Sequence, residues 1–275
     1  MNSKYFVLGG DIKKSLTEGY RFDLKTLFKT AYNVTYKHFF PLVTACLIII
    51  LALFALATLF ITESGSVEDP IVVVLFFLIS LLIAPPIVTG MLMMGINHSI
   101  GLKSKTTDLF NYFNIILKLS LAAMMISLMA NAASMLLSQL FGSMGFMLSI
   151  IILLYLKMSF CLVYPLIAEK KVPPTLALKL SFKLVNKNLG QFTQLLIIFS
   201  LLFIVGVITS GIGLLFIIPF YINVMGIIYR QICGVSITVT GLSENDDDDH
   251  NSGEQVTERD TESNTSTTNN GTFEA

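Results

Sequence analysis

The sequence predicts an all-α fold: a polytopic transmembrane helical bundle of six spans, arranged as three hairpins with interfacial amphipathic helices. Three observations carry this. Charged residues make up 13% of the 275 residues and hydrophobic ones 54%, about half the charge of an average soluble domain. The apolar residues fall in uninterrupted runs, not in stripes on amphipathic elements. Lysine and arginine cluster on alternate connections between those runs.

A hydrocarbon core about 30 Å thick needs about 20 apolar residues in a helix. Six runs meet this, at residues 39–61, 71–94, 117–140, 145–168, 192–208 and 212–232. None alternates as a barrel strand does, and open strands leave backbone groups unbonded in lipid. The connections 62–70, 141–144 and 209–211 hold no Lys or Arg. The opposite side holds Lys25, Lys29 and Lys37, then Lys103, Lys105 and Lys118, then Lys179, Lys183 and Lys187, and finally Arg230. Positive charge at span ends marks the cytoplasmic side. The reading is a multi-pass membrane protein with both termini on the cytoplasmic side. No cleavable signal peptide is visible in the first twenty residues, which carry Lys4, Asp11, Lys13, Lys14 and Glu18.

Each hairpin is preceded by a mixed segment that reads as an interfacial helix: Leu24 to Lys37, Thr107 to Lys118, and Thr175 to Lys187. Apolar residues at helical spacing with lysines between them suit a helix in the headgroup plane. Thr107 is the predicted cap of the second, with Asp108 in its first turn. Lys25, Lys29, Lys37, Lys179, Lys183 and Lys187 are therefore the candidate lipid-headgroup contacts. The partner they call for is the bilayer, anionic lipid above all; nothing points to nucleic acid. The first and third hairpins share short matches: Phe28-Lys29 with Phe182-Lys183, Met94-Gly95-Ile96 with Met225-Gly226-Ile227, and Pro85-Pro86 with Pro219.

The organisation is a segment at 1–38, a six-span domain at 39–236 and an acidic tail at 237–275. From residue 243 onward the tail has ten acids against Arg259, leaving 17 bases and eight acids in the body. So polar a segment cannot bury enough surface to fold alone. Its charge makes the body's basic face its natural contact.

Lys157 is the sharpest anomaly inside a span, lying near the centre of the fourth run. No Asp or Glu occurs within any run to neutralise it, and an intramembrane cation is a functional-site hypothesis. Asn131 and Asn223 are polar partners it could meet, together with carbonyls freed by Pro86 and Pro219. One reading is an anion or small-solute site in a hydrated cavity. The other is a lysine that snorkels to the interface. No catalytic constellation stands out; only His98 with Asp108 approaches an acid–base pair. Cys46, Cys161 and Cys233 lie in or at the end of separate apolar runs, and His38 and His98 lack a second ligand at metal spacing. No cofactor and no metal are called for, and the reading is a non-enzymatic protein that organises or senses the bilayer.

From Tyr155 to Leu201 the order of features forms a pattern: Tyr155-Leu156-Lys157-Met158-Ser159, Tyr164-Pro165, Ala168-Glu169-Lys170, Ala177-Leu178-Lys179-Leu180-Ser181-Phe182-Lys183, and Asn188-Leu189-Gly190-Gln191-Phe192. This resembles the bacterial YciC-like integral membrane proteins and the related membrane domain attached to some glycerophosphoryl diester phosphodiesterases. The resemblance extends more loosely over residues 20–236. It implies six spans, a recurrent basic residue at Lys157, an acid at Glu169 and an Ala-Leu-x-x-Ser motif at Ala177–Ser181. Phe182 stands where the family usually has Trp. The phosphodiesterase chemistry belongs to a separate soluble domain, so the resemblance implies no catalysis here.

Overall fold

The computed structural model describes residues 4–64 and 70–239. Its helical unit spans Val7–Ser236. Residues 240–275 of the predicted acidic tail and most of the connection 62–70 lie outside the described residues.

The chain begins with a strand, Lys4–Leu8 (β1), and a short helix, Ile12–Thr17 (α1). Asp11 caps α1, its carboxylate accepting from the Lys13 and Lys14 amides at 2.7 and 3.0 Å. A second helix, Leu24–Lys37 (α2), is capped by Asp23, which accepts from the Thr26 amide at 3.0 Å and the Thr26 hydroxyl at 2.6 Å. Both caps satisfy N–H groups that a helix start leaves unbonded. At His38 the chain bends by 79° into Phe39–Ser64 (α3). Pro70–Ser99 (α4) follows, then two short 3₁₀ turns at Thr106–Phe110 and Phe113–Ile115, then Ile116–Phe141 (α5). Ser143–Ser159 (α6) and Val163–Glu169 (α7) come next, then Pro174–Lys187 (α8), Leu189–Ile208 (α9) and Leu214–Cys233 (α10). A second strand, Val235–Val239 (β2), pairs with β1.

Among the described residues, five helical stretches are long and apolar enough to cross a membrane, or up to six if the bent α2–α3 pair counts as one span. The chain is thus a multi-pass helical membrane protein. The two-stranded sheet is an addition that the all-α reading lacks. The predicted second interfacial helix is also corrected: its place is taken by the two 3₁₀ turns. Lys105, not Thr107, stands at the first turn's N-cap, and its amide donates to Asp108 at 2.8 Å. Both α4 and α10 run on through Pro85, Pro86 and Pro219. Pro86 has no N–H for the Leu82 carbonyl, and the Ser120 hydroxyl of α5 donates to that oxygen at 3.3 Å.

The helices meet around one close crossing. A Cβ on Gly95 of α4 would strike the Ile222 carbonyl of α10, and one on Gly226 would strike the Gly95 carbonyl. Lipid supplies no hydrophobic force between helices, so backbone approach through small residues holds such pairs. The matching triplets at 94–96 and 225–227 are brought face to face there. Around the crossing, Met93, Met94, Ile96, Ile227, Ile228 and Tyr229 are almost fully buried.

α2 and α8 dock on this core through their apolar stripes. Leu27 and Ala31 of α2 are buried, and Phe28 packs on Phe199 and Phe220 with ring centroids 6.1 and 5.8 Å apart. Ala177, Leu178, Leu184 and Val185 of α8 are buried. Fully burying a Leu or Phe stabilises by about 1.5–3 kcal/mol. Each stripe is thereby fixed against protein.

Gly95→Ala and Gly226→Ala should each lower stability by about 1–3 kcal/mol through overpacking. Gly190, with open space at its Cβ position, should accept Ala within about 0.5 kcal/mol. Thermal unfolding in detergent reads both. The Asp23 cap lies below its ordinary 3.8 because the Thr26 hydroxyl and amide bond its charged form. A lowered folded value stabilises above the unfolded one and is lost as pH falls through it. Exchange protection of the first turn of α2 should therefore drop below about pH 4, and Asp23→Ala should remove that pH dependence.

Candidate functional site

One helical turn beyond the glycine crossing, apolar helices carry polar side chains that find each other. Asn223 of α10 is fully buried, and His98 of α4 is 2% exposed. His98 Nδ1 and Asn223 Oδ1 lie 3.1 Å apart, and the Asn223 amide nitrogen donates to the Thr35 hydroxyl of α2 at 2.9 Å. Thr35 in turn donates to the Ala31 carbonyl at 2.7 Å. With the amide oxygen accepting, the network assigns the His98 proton to Nδ1. Nε2 then holds a lone pair, buried and without a hydrogen-bond partner among the described residues. The His38 ring stacks on His98 with centroids 4.4 Å apart and planes 12° apart. Burial first, then Lys37 and Lys103, hold His38 below its ordinary value, which favours neutral imidazole.

A second cluster ties α7 to the end of α10. Glu169 is 1% exposed at its side chain, and Lys170 lies 3.1 Å away. The carboxylate also accepts from the Tyr229 hydroxyl at 2.8 Å and the Ser236 amide at 2.9 Å. A buried carboxylate needs this degree of satisfaction. Arg230 donates to the Ser99 carbonyl at the C-terminus of α4, where a cation complements the helix dipole. The Ser15 hydroxyl donates to the Ile232 carbonyl at 2.8 Å and the Gly10 amide to the Arg230 carbonyl at 2.9 Å, so the segment after β1 satisfies the last carbonyls of α10.

No family model, curated protein or solved structure matches the chain. The site therefore rests on its geometry.

Lys157 is exposed on α6, on the outward face it shares with Met147, Ile151 and Leu154. The helix α8 runs beside it: Tyr155 donates to Asn186 at 2.7 Å, and Ser181 donates to the Ser159 carbonyl at 2.8 Å. Beyond Lys157, residues Met158, Phe160, Leu162, Val163, Leu166 and Ile167 are enclosed by protein. Apolar counting placed them in the fourth span, and Lys157 lies near the middle of the apolar stretch Ser143–Glu169. It sits level with the basic helix α8. Asn131 is exposed on α5, while Asn223 is committed to His98 and Thr35, so the three do not converge. A groove at the α4 prolines is lined by Phe77, Leu81, Ala84, Pro85, Val88 and Tyr164 among others; neither Lys157 nor Pro86 nor Pro219 lines it. Pro86 and Pro219 are both buried in continuous helices.

The six candidate headgroup lysines are all exposed, Lys25, Lys29 and Lys37 on α2 and Lys179, Lys183 and Lys187 on α8. Lys187 also reaches the Thr17 carbonyl at 3.5 Å. The His38–His98 stack and the Tyr229–Glu169 bond were not foreseen. A polar residue inside an apolar run was their only signal. Among the described residues, no group of three or more His, Cys, Asp or Glu could hold a metal ion.

Asn223→Leu strands His98 Nδ1 and removes the donor to the Thr35 hydroxyl, and should destabilise by about 1–3 kcal/mol. Glu169→Ala removes the acceptor of Tyr229 and the Ser236 amide and should cost about 2–3 kcal/mol, Lys170 being partly solvated. Lys157→Gln should change stability by less than about 0.5 kcal/mol. Unfolding midpoints of the three variants in one detergent test this order.

Proposed function

We propose that this chain is a non-enzymatic, six-span protein of the bacterial inner membrane that organises or senses the bilayer through its basic end. The observation that supports it is the docking of α2 and α8. Their apolar stripes are buried on the helical core, and Lys25, Lys29, Lys37, Lys179, Lys183 and Lys187 face outward. A lysine held near an anionic leaflet gains about 1 kcal/mol, and docked helices hold theirs without the entropy loss of folding on the surface. In this reading the spans pair as three in–out–in hairpins, the termini are cytoplasmic, and the family is the YciC-like one. The partner is the bilayer, with anionic lipid preferred, and the acidic tail is a contact for the same basic face. No cofactor is involved.

The transporter reading asks for Lys157 in a hydrated cavity. Its exposure on the outer face of α6, beside α8, favours snorkelling instead.

The full chain in nanodiscs should unfold at a higher temperature when phosphatidylcholine is partly replaced by phosphatidylglycerol. Replacing the six lysines by glutamine should remove most of that gain. An equal gain in both proteins would refute the proposal.

A further inference from the structure

One side of α5 is left uncovered along most of its length. Leu121, Met124, Leu128, Asn131, Met135 and Ser138 recur at intervals of three and four residues and are all exposed. Leu128 is 70% and Met135 63% exposed, while Leu119, Ala122 and Ala123 hold the opposite side of the helix against protein. The stripe is about 25 Å long at 1.5 Å per residue, most of the thickness of a hydrocarbon core. Its repeat averages about 3.5 residues, the spacing that keeps one helix face turned to a partner helix along its whole length.

The exposed face of α9 is different. There Ile197, Leu201, Ile204 and Ile208 are apolar throughout, as contact with lipid tails requires. The α5 stripe carries an amide instead. Asn131 stands ten residues before the end of α5, about 15 Å along the axis, so its short side chain reaches neither water nor lipid headgroups. It has no hydrogen-bond partner among the described residues. Ser138, the other polar residue of the stripe, returns its hydroxyl to the Met135 carbonyl at 2.9 Å. An amide left unbonded in hydrocarbon is costly. Its place on the stripe calls for a partner that brings both a donor and an acceptor to the same depth.

We propose that two copies of this chain associate through the 121–138 face of α5, with the Asn131 amides of the two copies hydrogen-bonded to each other. Symmetry and electrostatic complementarity select a second copy as the occupant. Two copies insert with the same orientation, so their α5 helices meet in parallel. Across a two-fold axis normal to the membrane, each position of the stripe then meets itself. An Asn amide has both N–H donors and a carbonyl acceptor, so it is its own complement; a Lys or an Asp there would repel its counterpart. Residues 119–141 carry no charge, and nothing in the stripe opposes a like copy. Leu128 and Met135 pack on their counterparts, the van der Waals contact that joins helices in lipid. The interface stands apart from the basic end and does not depend on the bilayer-directed reading.

The test is energy transfer between donor- and acceptor-labelled full-length chains in phosphatidylcholine liposomes, followed over a lipid dilution series. Wild type should show more transfer than randomly mixed monomers. Asn131→Leu should weaken association by about fivefold even though it makes the face more apolar, and Asn131→Gln, which keeps the amide, should retain most of it. Leu128→Ala should weaken association, and Leu201→Ala on α9 should not. Asn131 bonds nothing within the described chain, so its variants should unfold in detergent at the wild-type midpoint, which separates lost association from lost folding. Transfer at the level of random mixing, association unchanged in Asn131→Leu, or equal losses in Leu128→Ala and Leu201→Ala overturns the interface. Photobleaching of single labelled particles should count two chains; a larger number would overturn the two-fold pair.

Discussion

The backbone contact between Gly95 and Gly226 is the constraint on which the polar architecture depends. Helices that approach this closely have room for short or flat side chains one turn further along, and these must bond to each other. His98 and Asn223 do so at 3.1 Å, and Arg230 reaches across to the Ser99 carbonyl. On the far side of α10, Tyr229 turns to Glu169 at 2.8 Å. Separating the helices would leave each of these groups buried without a partner, at about 1–3 kcal/mol apiece. The packing and the hydrogen bonds are therefore cooperative: the glycines hold the polar pairs in range, and the polar pairs fix the register of the glycines.

The basic end inherits its rigidity from that crossing. An amphipathic helix free in the interface turns its apolar face to lipid and its lysines to water. Here the apolar stripe is spent on protein: Leu27 and Ala31 on one helix, Leu184 and Val185 on the other, are buried. What remains outward is Lys25, Lys29, Tyr32, Tyr36 and Lys37 on α2 and Lys179, Phe182, Lys183 and Lys187 on α8. Positions, not merely charges, are thus fixed on these two helices. A fixed array can distinguish headgroups by spacing, which a floating helix cannot.

The apolar spans were legible because they are a property of composition along the chain. Where the reading failed, the missing information was which neighbour a residue faces. Residues 158–167 are as apolar as a lipid-facing run, yet most are enclosed by protein. Thr107 to Lys118 has helical spacing, but a link from α4 to α5 across the α3 start folds as 3₁₀ turns. β1 and β2 lie more than 200 residues apart; periodicity within a five-residue segment carries no trace of so distant a partner. The His38–His98 stack joins two residues that single-chain spacing rules treat separately. Asn223 was picked out as a polar partner for Lys157, but its partners are a histidine and a threonine.

The histidine pair connects these two levels of the structure. Thr35, Asn223 and His98 form a directed chain in which each donor is matched, from His98 Nδ1 to the Ala31 carbonyl. That chain fixes where the proton on His98 sits and leaves Nε2 as the only free valence of the ring. His38 covers the same ring from the bend, with planes 12° apart, and is itself the residue at which an interfacial helix turns into a span. Two stacked imidazoles 4.4 Å apart repel strongly if both are charged. The protonation of His38, which Lys37 and Lys103 disfavour, therefore acts on the hydrogen bonds beside the glycine crossing through the stacked ring of His98. Surface charge and helix packing are coupled through one ring contact.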